Sequence, residues 1–325
     1  MESMVSVKGL KKYFKIFRKD PGLMGSIKSL FVREYSTVEA VNDISFDIKE
    51  GEFVGFIGSN GAGKTTTLKC LSGLLYPTEG TVTVNGFIPW ERDREFLKGI
   101  SLVMGQKNQL WWDLPAYDSF LLNKEIYEVS DQNFQQKVDE LIELLSLGKI
   151  VNIPVRKLSL GQRMKCELVS SLLHSPKVVF LDEPTIGLDV VMQKRLRTFF
   201  KEYNKQYGTT VILTSHNMDD VKELCKRVII IDEGKIMYDG SIVSLINQHV
   251  KYKTVSFVVS RKVEKSELEK IGTVLSLNDT SGVLQVDRDD VANASAKLLQ
   301  NFPIEDLDID EMNLEGVVRE IFSKE

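Results

Sequence analysis

The chain has 325 residues, 42% of them apolar, and a net charge of -4. This admits one large globular domain or two unequal ones with a sizeable core, and the charge gives no bulk electrostatic argument for a nucleic-acid partner. Cys70, Cys166 and Cys225 are widely spaced with no paired ligand spacing, which points to packed thiols in a reduced compartment, and no stretch approaches the roughly 18 to 20 apolar residues that cross a bilayer.

In chain order, residues 1–6 lack the apolar core of a signal peptide, so a soluble, cytoplasmic protein is expected. Any membrane part must come from another subunit. Residues 5–10 read as a short edge strand. A mixed basic and aromatic run follows, from Lys11 through Tyr13 to Lys19, and ends in the turn signal Asp20-Pro21-Gly22. Between Lys8 and Arg33 the basic residues far outnumber the single acid, Asp20. The segment is either a patch for anionic lipid headgroups or a partner, or a solvated insertion. Residues 38–41 and 44–48 alternate as half-buried strands do.

Phe53-Val54-Gly55-Phe56-Ile57 is an apolar run that reads as a buried strand, and a helix is expected from Lys64 to near Gly73. Between and into them stand Gly58, Ser59, Asn60, Gly61, Ala62, Gly63, Lys64, Thr65 and Thr66. A strand, a glycine-rich turn and a helix are the context of a phosphate-binding loop. Glycines let the backbone wrap an anion with several N–H groups pointing inward. The helix N-terminus adds partial positive charge at the same place. Lys64 can reach the β- and γ-phosphates and the Thr65 hydroxyl can ligate Mg²⁺.

Residues 81–84 form a strand closing at Asn85-Gly86, and 100–104 form another ending at Gly105-Gln106. The composition then changes. Helices are expected over 118–127, over the stripe Phe134, Val138, Leu141, Ile142 and Leu145, and after Ser159-Leu160-Gly161-Gln162. This block, about 107–175, reads as an inserted helical subdomain. Residues 178–182 are apolar and end in Asp182, as suits a central strand buried on both faces. Ligands collect at the carboxyl ends of such strands. Asp182 would hold Mg²⁺ through water, and Glu183 would polarise a water for attack on a γ-phosphate. The plain alternative is a solvated acidic turn before Pro184. Residues 210–216 repeat the pattern and end in His216; 227–232 and 235–238 look like a closing hairpin. Near Gln248 the character changes again. The remainder reads strand 254–259, helix 266–271, strands 273–277 and 283–286, helix 290–299, strand 305–309 and helix 314–322. That order suggests a small α+β, ferredoxin-like domain over 247–325, after a nucleotide-binding domain over 1–246.

The motifs taken together resemble the ATP-binding subunit of an ATP-binding cassette (ABC) transporter, over roughly 5–246. The resemblance rests on the phosphate loop, the Asp182-Glu183 pair and Leu158-Ser159-Leu160-Gly161-Gln162, which matches the family's signature with Leu160 where glycine is commonest. The hydroxyl of Ser159, the backbone at Gly161 and a helix N-terminus make an anion site. Gln106 resembles the glutamine that senses Mg²⁺ and the attacking water. Gly187-Leu188-Asp189 resembles the loop that crosses to the partner subunit. His216 resembles the histidine on the γ-phosphate, and Tyr13 the aromatic that stacks on adenine. The resemblance implies an α/β P-loop NTPase fold of ABC type, ATP and Mg²⁺ as ligands, and ATP hydrolysis with Glu183, His216 and Gln106 in catalytic roles. It implies a head-to-tail dimer in which one copy's phosphate loop is covered by the other's Ser159, Gly161 and Gln162. It also implies polytopic membrane permease subunits as partners and a peripheral place on the cytoplasmic face of the membrane.

Asn108-Gln109-Leu110-Trp111-Trp112-Asp113-Leu114-Pro115-Ala116-Tyr117 is the most individual stretch. Its tryptophans are either an aromatic anchor for a permease helix or packing within the subdomain. With the insertion after Tyr13 and the Cys166-Glu167-Leu168 helix, it resembles the branch that serves exporter-type permeases. Two other readings stand beside export. One is an importer energy subunit, though many importers append a β-barrel that the C-terminal segment does not resemble. The other is a soluble cassette ATPase on ribosomes or nucleic acid, against which count the single cassette and the lack of Cys clusters or sustained heptads.

Overall fold

Residues buried on both faces fix the centre of this fold, and they are the runs that read as unbroken apolar strands. The structure is a computed structural model that describes residues 3–18, 34–105, 107–249, 252–311 and 314–323. It divides into two compact units, Met1–Asp239 and Gly240–Glu325. The change of unit thus falls a few residues ahead of the 246/247 boundary expected from the sequence.

In the first unit the order is β1 (Val5–Arg18), β2 (Glu34–Ile48), β3 (Phe53–Gly58), α1 (Lys64–Leu71), β4 (Glu79–Val84), α2 (Arg94–Gly99) and β5 (Ile100–Met104). Then come α3 (Ala116–Ile126), α4 (Asp131–Leu144), α5 (Leu160–Leu172), β6 (Val178–Asp182), α6 (Val190–Tyr207), β7 (Thr210–Thr214), α7 (Met218–Leu224), β8 (Arg227–Asp232) and β9 (Lys235–Ser241), whose last two residues fall past the change of unit. A six-stranded sheet has the order β5-β6-β7-β3-β8-β9. Its pairs β5/β6, β6/β7, β3/β7 and β3/β8 are parallel. Every residue of β3 and β7 is buried, as are the first four of β6. Parallel strands covered on both faces have no polar side to alternate with.

β1 corrects an expectation. It is not a short edge strand: it runs on to Arg18 and is the middle of an antiparallel sheet, β2-β1-β4. The basic-aromatic run continues the strand, with Tyr13 opposite Glu39 and Arg18 opposite Glu34. Residues 19–33, the rest of the basic insertion, lie outside the described residues. This sheet and the six-stranded one share a core in which Val7, Leu10, Ile44 and Phe46 meet Phe56, Leu68, Phe180 and Ile229. Burying each such side chain contributes about 1.5–3 kcal/mol.

The expected helical block is present as α3, α4 and α5. The helices α2, α6 and α7 had no counterpart in the sequence reading. α6 buries Leu196, Phe199, Phe200 and Tyr203 along one face, a helical spacing.

The second unit contains α8 (Ile242–His249), β10 (Tyr252–Val259), α9 (Lys265–Leu268), β11 (Thr273–Leu277), β12 (Ser281–Asp287), α10 (Val291–Asn301), β13 (Ile304–Glu311) and α11 (Leu314–Ser323). Each expected piece is there, preceded by α8. The four strands form an antiparallel sheet, β11-β12-β10-β13, the strand arrangement of a ferredoxin-like fold. Val255, Phe257, Leu268, Leu284 and Leu298 are among its own core. Among the described residues, no helix is long and apolar enough to cross a membrane.

Candidate active site

Parallel pairing brings several strand ends together. Gly58 at the end of β3 lies opposite Ile231 of β8, and Asp182 at the end of β6 lies opposite Met104 of β5 and Thr214 of β7. The loop 58–66 leaves β3 at this edge and enters α1. Gly63 has φ 105°, and a Cβ there would stand 2.3 Å from the Ala40 carbonyl oxygen. Only glycine suits both conditions.

Lys64 is buried and folds back across the loop. Its Nζ donates to the carbonyl oxygens of Gly58 at 2.8 Å and Ser59 at 2.9 Å. Burial pushes its pKa down, against the attraction of Glu183, Asp182 and Asp232. The Ser59 hydroxyl donates to Asp232 Oδ1 at 2.5 Å, which ties the loop to the end of β8. The Ala62 carbonyl accepts from the Gly234 N–H at 3.1 Å. A cavity of about 240 Å³ opens over the loop. Asn60, Gly61, Gly63, Lys64, Thr65 and Thr66 line one side, and Glu183 and His216 the other.

The carboxylate of Asp182 accepts from the Thr65 hydroxyl at 3.0 and 3.1 Å and from the Thr214 hydroxyl at 2.7 Å. A hydroxyl and a carboxylate so placed are hard oxygen donors, as Mg²⁺ requires. The next residue, Glu183, adopts φ 55°, a left-handed backbone that costs a side-chain-bearing residue of order 1–3 kcal/mol. Its N–H is held by the carbonyl and hydroxyl oxygens of Thr214 at 3.1 and 3.2 Å. Its side chain accepts at Oε2 from the His216 N–H, 3.2 Å. The His216 ring nitrogen Nε2 lies 3.1 Å from Oε1, within charge attraction but off the line of a hydrogen bond, so that Oε1 has no hydrogen-bond donor. Burial pushes the Glu183 pKa up, against the attraction of His216 and Lys64.

Behind this pair lies a carboxylate that sequence reading missed. Asp220 on α7 is wholly buried. It accepts from Thr185 Oγ1 at 2.5 Å, Ser215 Oγ at 3.0 Å and Arg197 at 2.9 Å. Thr185 follows Glu183 by two residues and Ser215 precedes His216, so Asp220 fastens both site segments to α6 and α7. The one sequence signal was an acid four residues after His216. Asp232 and Thr214 were missed likewise, because their roles arise only from strand pairing.

The remaining expected residues stand elsewhere. Ser159 caps α5: its hydroxyl accepts from the Gln162 N–H at 3.2 Å, and Gln162 Oε1 accepts from the Ser159 N–H at 3.0 Å. Asp189 caps α6, accepting from the Met192 N–H at 2.8 Å. These two helix starts touch, since a Cβ on Gly161 would meet Met192 and one on Gly187 would meet Leu160. Neither Ser159, Gly161, Gln162 nor Asp189 lines the cavity over the phosphate loop, and nor does Tyr13. The Tyr13 hydroxyl donates to Asn42 Oδ1 at 3.3 Å, and the Asn42 N–H donates to the Gly234 carbonyl at 2.8 Å. Gln106 lies outside the described residues; the Gly105 N–H before it donates to the Asp182 carbonyl at 2.9 Å. Trp111 and Trp112 are 58% and 48% exposed, so interior packing does not account for them.

Comparison with known proteins places this geometry. Residues 41–186 match the family model of the ABC transporter, and 251–310 match that of the EvrA-like ABC transporter C-terminal domain. The chain is 32% identical to the ABC transporter ATP-binding protein NatA of Bacillus subtilis (strain 168), across 66% of this chain and 87% of that protein. It is 31% identical to the methionine import ATP-binding protein MetN 2 of Bacillus licheniformis, across 75% of this chain and 73% of that one. A solved dimeric ATP-binding cassette in a post-hydrolysis state, bound to ADP and Pi, shares the fold with a TM-score of 0.61. That match is 24% identical and covers 74% of this chain and 99% of that one. The chain belongs to the ATP-binding subunits of ABC transporters, ATPases that bind ATP with Mg²⁺.

Proposed function

We propose that this ATPase works as a head-to-tail pair of copies that drives a separate polytopic permease, in the direction of export, from the cytoplasmic face of the membrane. One observation carries the pairing. Lys64, Thr65, Asp182, Glu183 and His216 gather at one edge, while exposed Ser159 and Asp189, with half-buried Gly161, form a second group that lines no part of the same cavity. A second copy would bring its Ser159 hydroxyl and the start of its α5 over the first copy's phosphate loop, where a helix N-terminus attracts anions.

In that arrangement the loop N–H groups and Lys64 bind and orient the ATP phosphates. Thr65 and Asp182 would hold Mg²⁺, with Gln106 assigned to the same contact from the family resemblance; the ion supplies charge neutralisation at the phosphates. Glu183 accepts the proton of the attacking water, and His216, 45% exposed and beside it, faces the γ-phosphate. Glu183 is suited to this: its Oε1 has no hydrogen-bond donor, and its raised pKa makes it a better base than an ordinary carboxylate. Differential binding of ATP to the closed pair supplies the conformational bias. The exposed Trp111 and Trp112 are the surface offered to the permease. Export is supported by the C-terminal unit, a ferredoxin-like sheet rather than the β-barrel that many importers append.

Glu183→Gln is the test of mechanism. It should bind ATP, lose turnover by about 10²–10⁴-fold, and accumulate a dimer on gel filtration with MgATP. Normal phosphate release from that variant would sink the assignment. Affinity capture of the full chain from solubilised membranes tests the partner: a polytopic protein is expected, and ribosomal subunits in its place would overturn the transport reading.

A further inference from the structure

The signature helix α5 carries a buried carboxylate that the ATPase cycle above does not use. Glu167 is 4% exposed. Its Oε1 accepts from two successive backbone N–H groups, Gln109 at 2.9 Å and Leu110 at 3.3 Å, and its Oε2 is buried with no partner. Burial pushes its pKa up, against those two bonds and the nearby charge of Arg163. One turn earlier on the same helix, the Arg163 guanidinium lies over the Trp112 ring, 5.6 Å from its centre. Positions four apart share a helix face. Two side chains of α5 therefore grip one loop, at Gln109–Leu110 and at Trp112.

Gln109 is where that loop changes anchor. Its side-chain amide donates to the Leu102 carbonyl of β5 at 2.6 Å, while its backbone N–H is held by Glu167. Beyond it, the Arg156 N–H donates to the Trp112 carbonyl and the Val155 N–H to the Leu114 carbonyl, both at 3.0 Å. The far half of the loop is thus tied to the segment that leads into α5. Between the halves the Trp111 N–H donates to Ser119 Oγ of α3 at 3.1 Å, and Gln109 is the bond of the near half to β5.

We propose that Arg163 and Glu167 form a two-point clasp by which the tryptophan loop follows the signature helix, so that nucleotide closing on Ser159 at the start of α5 moves the exposed indoles of Trp111 and Trp112. The proposal rests on the head-to-tail reading. Glu167 and Arg163 are positioning residues, because they touch neither nucleotide nor its reacting atoms. A rigid helix carries a displacement of its N-terminus along its length, about 1.5 Å of axis per residue, and the clasp hands it to the loop.

The test uses the full chain carrying Glu183→Gln and Trp90→Phe, so that Trp111 and Trp112 are the remaining indoles of three. MgATP is added, and dimerisation by gel filtration is read beside indole emission and acrylamide quenching. The parent should dimerise and shift its emission. With Glu167→Ala added it should dimerise and lose the shift. Glu167→Gln, which keeps a carbonyl oxygen for the two N–H groups, should keep it. Arg163→Gln, on a more exposed site, should diminish it. A purely structural role would lower the melting temperature with and without nucleotide and leave the shift intact. The parent's full shift in a dimeric Glu167→Ala protein overturns the proposal, and so does a full shift in Arg163→Gln should the alanine variant fail to fold. A parent that dimerises with unmoved emission overturns this inference alone; one that does not dimerise overturns the head-to-tail reading with it.

Discussion

Glu183 combines three features at one residue: a left-handed backbone, a buried side chain and a free carboxylate oxygen beside His216. The first is enforced by the Thr214 bonds to its N–H, and the others set its proton affinity. Burial holds its pKa above the ordinary 4.5, and the base must be ionised to take a proton. Turnover should therefore fall on acidification through a pH above the ordinary carboxylate range, measurable as the acid limb of the rate profile. Stability has the opposite dependence. A carboxyl whose folded pKa is raised binds its proton more tightly when folded, so its contribution is present below the unfolded value and lost as pH rises through the folded one. Glu183→Gln should then melt above the wild type at neutral pH, and the gap should close below the ordinary range. A lower melt for the variant at neutral pH would mean that Lys64 and His216 outweigh burial. Lys64, Asp182 and Glu183 were legible in sequence because each stands in a local pattern, a glycine-rich turn or the end of an apolar run, although their partners Thr214 and His216 come from other strands. Asp232, Thr214 and Asp220 were not, because strand pairing and helix docking create their partners.

At the scale of elements, Asp220 shows how the site is held from behind. It joins α7 to the turn after β6 through Thr185, to the end of β7 through Ser215, and to α6 through Arg197. The Arg197 side chain is 7% exposed. Removing the carboxylate leaves that guanidinium nearly buried, with only Glu223 at 3.1 Å to answer it. Breaking a buried pair from one side costs about 3–5 kcal/mol, so Asp220→Ala should lose stability of that order in urea unfolding. Its turnover should fall at temperatures where it remains folded, because Glu183 and His216 lose a common brace. Unchanged stability would show that water or Glu223 replaces the pair. The elements were legible to different degrees for physical reasons. β5 and β6 were bounded as expected because their apolar runs end at Gly105 and Asp182. β1 was misjudged because a single strand carries no mark of how many neighbours it pairs with. α6 escaped notice because charges interrupt its apolar face, although the spacing of Leu196, Phe199, Phe200 and Tyr203 was present.

For the whole molecule, the sequence of motifs was enough to identify the cassette, and the alternation of the C-terminal strands was enough to foresee their order along the chain. The lateral order β5-β6-β7-β3-β8-β9 was not legible, since it follows from which strands bury each other's faces. The two units have separate cores, one around Phe56, Phe180 and Ile229 and one around Phe257, Leu268 and Leu284. Only the first contains the phosphate loop. Ligand binding stabilises the unit that folds to make the site, by about 2.7 kcal/mol at a hundredfold excess over Kd. Calorimetry of the full chain should therefore resolve two transitions, of which MgATP raises one. Phe257→Ala removes a buried ring from the second core at a cost of about 3–5 kcal/mol, and should lower the other transition while leaving the MgATP-sensitive one in place. One transition that moves with both the nucleotide and Phe257→Ala would show instead that the two cores unfold as a single cooperative unit, and the C-terminal unit would then feel nucleotide binding through stability itself.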